Sequence, residues 1–141
     1  MMKIKLLDDH AKAPTKAHDT DSGYDFYALE DVVVKADGVT KVATGVALQL
    51  PPHIWMKIEA KSGRAIKNNL GVTAGVIDNE YRGPIVLAVV NYGSDFQMIK
   101  RGEKVAQGVL MPLVICGSEV VKEFDGDTER GENGFGSTGL T

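Results

Sequence analysis

Val42-Ala43-Thr44-Gly45-Val46-Ala47-Leu48-Gln49-Leu50-Pro51-Pro52-His53-Ile54-Trp55-Met56-Lys57-Ile58 reads as two apolar, β-branched runs parted by a proline pair. Consecutive prolines punctuate a chain, so residues 51–52 predict a turn. In the second run, Ile54, Met56 and Ile58 alternate with Trp55, Lys57 and Glu59, the period of a half-buried strand. Val32 to Val34 and the turn Ala36-Asp37-Gly38 extend the same rhythm upstream. Short strands in quick succession predict an all-β sandwich or barrel.

The flanks agree with this reading. Lys3 to Leu7 alternates charged and apolar side chains, whereas Asp8 to Asp21 is polar, broken by Pro14, and reads as a loop. Ser62 to Asn69 is the only stretch suited to a turn or two of helix, and Gly71 to Ile77 is a candidate hairpin. Ile85-Val86-Leu87-Ala88-Val89-Val90 is apolar on both faces of a strand, which asks for a second covering surface such as a subunit interface. Phe96 to Ile99 and the long apolar segment Val105 to Ile115 follow.

At 141 residues the chain suits one domain. A net charge of -3, without a basic run, argues against nucleic acid or a membrane as partner. The single Cys116, in an apolar run, reads as a small buried hydrophobe in a reducing compartment. The first residues lack an apolar stretch of signal-peptide length and no later run is long enough to span a membrane, so the expected location is cytoplasmic.

Several strings carry chemistry. Asp78 ends a β-branched run, where rigid backbone can position a general base; taken alone, the residue fits an Asx-turn cap better. Asp25 follows Gly23-Tyr24, and Lys61-Ser62-Gly63 offers a cation and a hydroxyl after a strand. Gln107 is polar within an apolar run and needs a hydrogen-bond partner if buried. Arg130 to Gly139 combines a guanidinium fork, the flat face of Phe135 and the hydroxyls of Ser137 and Thr138 with four glycines, so it is expected to be mobile yet able to clamp a phosphate and an aromatic ring. P-loop, zinc-spaced and dinucleotide-fold motifs are absent from the sequence.

Taken in order, five strings resemble the five motifs of the trimeric dUTPases: Asp21 to Phe26, Lys61-Ser62-Gly63, Gly75 to Gly83, Gly102 to Gln107, and Arg130 to Gly139. The resemblance spans essentially the whole chain. It implies an all-β, jelly-roll-like β-barrel subunit of the β-clip type, with one short helix at most, assembled as a homotrimer with shared active sites. Residues 1–126 would form the core, and 127–141 a flexible Gly-rich arm that closes an active site.

The implied activity is hydrolysis of dUTP to dUMP and diphosphate; the alternative is a dUTPase-like trimer acting as a nucleotide-sensing or partner-binding module. By resemblance, Asp78 activates the water that attacks the α-phosphorus, and Arg130 assists at the phosphates. Tyr81 lies under the deoxyribose, while the segment from Val72 through Val76 and Ile77 reads the uracil edge. Lys61, Ser62, Gly63 and Gln107 bind phosphates together with Gly136 and Ser137, and Phe135 stacks on the base. Mg2+ rides on the triphosphate, with Asp25 reaching it through water.

The chain departs from the family pattern at several positions. Lys61 and Lys104 stand where Arg is usual, Arg64 where an apolar residue is common, Asn133 for a Gly, and Val72 where some relatives carry Asn. A point charge therefore replaces a planar fork at positions 61 and 104.

Overall fold

Antiparallel strands dominate the computed structural model, which describes residues 1–132. In chain order the elements are β1 (Lys3–Leu6), β2 (Gly23–Tyr27), β3 (Val32–Val34), β4 (Val39–Gln49), β5 (Ile54–Ala60), α1 (Ser62–Asn68), β6 (Leu70–Thr73), β7 (Val76–Ile77), β8 (Pro84–Asn91), β9 (Gln97–Ile99) and β10 (Lys104–Pro112). They form a sheet ordered β1-β4-β8-β6, a second ordered β2-β10-β5-β7, and a two-stranded ribbon β3-β9. The β-rich, jelly-roll-like subunit with one short helix is as expected, although its strands lie in separate sheets and do not close into one barrel.

Alternation in the sequence sets which faces meet. Val42, Val46, Leu48, Ile85, Leu87 and Val89 of the first sheet share one core with Phe26, Met56, Ile58 and Val105 of the second, and Val34 and Ile99 bring the ribbon into it. Burying such side chains contributes roughly 1.5–3 kcal/mol each before chain entropy is counted. Gly45 (φ +69) sits where β4 slips register against β8; a Cβ there would stand 2.8 Å from Ala11 Cβ. Beside it, Thr44 Oγ1 donates to Ile85 O at 2.6 Å, which satisfies a hydroxyl deep in the core.

Two expectations change. Gly71 to Ile77 does not fold as a simple hairpin: β6 pairs with β8 in one sheet and β7 with β5 in the other, so the step at Ala74 (φ 51) and Gly75 passes between layers. Gly75 makes this possible, because a Cβ would meet Ile58 O at 2.6 Å, in the place where Ile58 N donates to Gly75 O at 2.7 Å. Cys116 is exposed, since β10 ends at Pro112 and Leu113, Val114 and Ile115 run on across the surface with their apolar side chains uncovered.

The doubly apolar β8 behaves as its sequence demands. Ile85, Leu87 and Val89 enter the core, while Val86 remains 44% exposed on the opposite face. Among the described residues, no helix is long and apolar enough to cross a membrane.

Candidate active site

The predicted site residues fall into two groups. The first gathers around Asp25, on β2, which is only 5% exposed. Lys61, extended at the N-cap of α1, donates through Nζ to Asp25 Oδ1, and Lys104 Nζ reaches Asp25 Oδ2 at 2.6 Å. Burial by itself would raise the Asp25 pKa, but hydrogen bonds from Lys104 and Lys61, with their charge, outweigh it and hold the carboxyl below the usual carboxylate range. The hydrogen bond to Asp25 likewise holds Lys104 above the usual lysine value.

Gln107 is brought to the same place by strand register. It opposes Asp25 across the β10–β2 ladder, and its Nε2 donates to Ala60 O at 3.2 Å, the partner its half-buried amide requires. Ser62 and Gly63 open α1 next to Lys61 and are exposed. Two cations, a hydroxyl and an amide therefore converge at one end of β5. Just beyond them, Lys61, Gly63, Arg64, Lys67 and Lys104 line a groove of about 320 Å3.

The second group surrounds Asp78. Asp78-Asn79-Glu80-Tyr81 turns tightly, with Tyr81 N donating to Asp78 O at 3.1 Å. Asn79 Nδ2 donates to Pro51 O at 2.6 Å and Ile54 O at 2.7 Å, which pins the turn to the β4–β5 connection. Arg82 Nη1 grips Asn79 O and Tyr81 O. The Tyr81 ring folds over Gly83, where a Cβ would stand 2.4 Å from its hydroxyl, and that hydroxyl donates to Pro84 O at 3.0 Å.

The Asp78 carboxylate is exposed at a cleft of about 940 Å3 lined by Trp55, Tyr81, His53, Pro52 and Ile115 among others. Val76 is exposed, and Ile77 and Val72 are half-buried on the adjoining strands. Asn79, Arg82 and Gly83 escaped the sequence reading as site supports. The available signal was an Asn directly after an Asp at a strand end, a common turn pairing.

The two groups do not meet within one chain. Ile77 pairs with Met56, so Asp78 is level with Trp55, and at about 3.3 Å per residue Lys61 lies roughly 20 Å further along the strand. Arg130 is described and lies in the exposed C-terminal segment, beside a turn in which Gly131 N donates to Thr128 O at 3.1 Å. Phe135, Gly136 and Ser137 lie outside the described residues.

The family model for dUTPase matches residues 9–139. The chain belongs to the dUTPase family. It is 39% identical over 140 residues to the deoxyuridine 5'-triphosphate nucleotidohydrolase of Clostridium tetani, covering 98% of this chain and 96% of that one. The corresponding protein of Yarrowia lipolytica is 38% identical over 140 residues, covering 99% and 89%. Among solved structures, the dUTPase-family chain is similar to the Staphylococcus bacteriophage 80alpha dUTPase with dUpNHpp, at a TM-score of 0.87 and 28% identity over 99% of both chains. A phage phi11 dUTPase mutant from S. aureus, whose structure coordinates a structural Mg(II) ion, shares the fold at a TM-score of 0.80 and 24% identity, covering 89% of this chain and 99% of that one.

Proposed function

We propose that this chain is a cytoplasmic dUTP diphosphatase that hydrolyses dUTP to dUMP and diphosphate. The observation that carries the reading, in a chain of this family, is the exposed carboxylate of Asp78 on a turn pinned by Asn79, beside the Tyr81 ring in an open cleft. Asp78 accepts a proton from the water that attacks the α-phosphorus, and the oxygen bridging to the β-phosphorus leaves with the diphosphate. Tyr81, held over Gly83, presents a flat surface to the deoxyribose, and the β6–β7 crossover with Val72, Val76 and Ile77 offers backbone groups to the uracil edge. Matched polar contacts of that kind reject near-isosteric bases.

Lys61, Ser62, Gly63, Lys104 and Gln107 hold the phosphates. Asp25 keeps the two lysines gathered until a triphosphate takes them over. Residues 127–141 act as an arm closing over the nucleotide, in which Arg130, Gly136 and Ser137 add phosphate contacts and Phe135 stacks on uracil, worth roughly 1–3 kcal/mol.

Among the described residues no cluster of three or more His, Cys, Asp or Glu side chains could hold a metal, so a cage made by the protein alone does not fit. A Mg2+ that arrives on the triphosphate does fit, because such an ion keeps most of its waters and needs only a lone carboxylate, here Asp25. When bound it neutralises phosphate charge.

The roughly 20 Å between Asp78 and Lys61 supports a homotrimer in which each site draws these groups from different copies. The uncovered face of Val86 and the exposed apolar run Val114-Ile115 supply surface for that contact. Diphosphate release measured across dUTP, dTTP, dCTP and UTP tests the reading: dUTP should be turned over far faster than the rest, and a protein that leaves dUTP intact with Mg2+ present overturns it. Sedimentation should report three chains per particle.

A further inference from the structure

Arg64 occupies a position where an apolar side chain would suit the motif, yet its guanidinium is the most engaged cation of α1. Its side chain is 18% exposed. Nε donates to Lys104 O at 3.0 Å, and Nη2 donates to Glu103 Oε2, also at 3.0 Å. The same Glu103 oxygen accepts the Lys100 backbone N–H at 2.8 Å, so one carboxylate closes the β9–β10 turn and receives the helix at once. That turn is further fixed by Gly102 N donating to Ala28 O and Ala28 N to Glu103 O.

Directly after Lys104 the β10–β2 ladder slips register, leaving Val105 as an extra residue between Lys104 and Ala106. A bulge re-aims the side chains around it. Here the re-aimed residue is Lys104, whose ammonium reaches Asp25. Lys61, the other cation on Asp25, is the extended N-cap residue of α1, three residues before Arg64 in the chain.

We infer that Arg64 is a positioning residue, which ties α1 to the root of β10 so that Lys61 and Lys104 are presented at a fixed separation to the triphosphate. The inference rests on the reading of those two lysines as the phosphate clamp. An arginine is needed because its planar fork satisfies two acceptors on successive residues, a backbone carbonyl and a carboxylate, which an ammonium cannot do in the same geometry. It also explains how two flexible lysines can stand where planar guanidinium groups are usual: the rigidity is supplied one turn away.

Binding of dUpNHpp and of dUMP, measured calorimetrically on the full chain without turnover, separates this role from a merely structural one. Arg64→Leu should weaken dUpNHpp about tenfold and dUMP by under about twofold, and combining it with Lys104→Met should cost no more than Lys104→Met alone, as for residues acting in series. Arg64→Lys, which keeps the Glu103 pair and loses the carbonyl bond, should fall between. Should Arg64→Leu fail to fold, Arg64→Lys and Glu103→Gln carry the same comparison. Equal weakening of both ligands, additive losses with Lys104→Met, or unchanged dUpNHpp binding would each overturn the inference. An unmutated protein that binds dUpNHpp no tighter than dUMP would instead remove the phosphate clamp itself, a failure visible before any variant is made.

Discussion

Gln107 occupies the space that a side chain at residue 23 would need: a Cβ built on Gly23 would stand 2.3 Å from Gln107 Oε1 and 3.0 Å from its Cβ. The two residues are diagonal neighbours across the β2–β10 ladder: Gly23 pairs with Val109, two register steps from the pairing of Asp25 with Gln107. Gly23 therefore sets where the Gln107 amide lies. Gly23→Ala should push that amide out of the proposed phosphate site and reduce kcat/KM for dUTP roughly 10- to 100-fold, the scale on which misplaced contacts act. Steady-state kinetics on the single variant and on Gly23→Ala with Gln107→Ala check this: once the amide is gone, the alanine at 23 should cost little more.

Asp78→Asn removes the proposed proton acceptor and keeps the shape of the turn. Turnover of dUTP should fall by about 10²- to 10⁴-fold, the usual share of a positioned base. The melting temperature should stay put, since the Asp78 side chain is exposed and the turn is held by the bonds of Asn79, Arg82 and Tyr81. A parallel fall in melting temperature would mean that Asp78 is mainly a cap.

Asn79→Ala tests the support in place of the base. Two carbonyls, Pro51 O and Ile54 O, lose their donor, which should cost about 1–3 kcal/mol in a denaturant titration. Because Asp78 moves with the turn, kcat should drop more than KM rises.

Gly83→Ala places a methyl group against the Tyr81 hydroxyl and should lift the ring from its seat on Pro84 O. If the ring is what excludes a 2′-hydroxyl, the preference for dUTP over UTP should shrink in this variant while UTP turnover rises. Competition kinetics with the two nucleotides reads the ratio directly.

The Asp25 carboxyl has a native pKa below its ordinary value of 3.8, so it binds fewer protons folded than unfolded as pH falls past that value. The stability this supplies is fully present above about pH 3.8 and is lost as pH falls through the lower native value. Melting curves from pH 6 down to roughly pH 2 should show the unmutated protein losing more stability in acid than Asp25→Asn, with the two curves converging at the acid end.

Much of the architecture was open to reading along the chain. The alternation in Ile54 to Glu59 places Met56 and Ile58 in the core as written, and the double apolarity of Ile85 to Val90 leaves Val86 uncovered as expected. The helix at Ser62–Asn68 stands where polar and apolar residues lose their period of two. What escaped notice depends on pairing between distant segments. Local pattern does not say that β6 and β7 part into different sheets, because each would look the same as one arm of a hairpin. Cys116 misled for a related reason: an apolar run is buried only if something lies over it, and no partner surface is encoded in the run itself. In the candidate site, the residues proposed to carry chemistry had their own signal in the sequence, while Asn79, Arg82 and Gly83 act through carbonyls and empty space that only the folded chain brings together.

The step at Ala74-Gly75 is one of the places where the chain itself passes between the two layers, and it does so beside the groups proposed to meet uracil. A base seated against that step would touch both sheets through one short piece of backbone. Nucleotide would thus act as a rivet: amide protons in β8 and in β5, on opposite sides of the core, should slow their exchange with solvent together when the base alone is supplied.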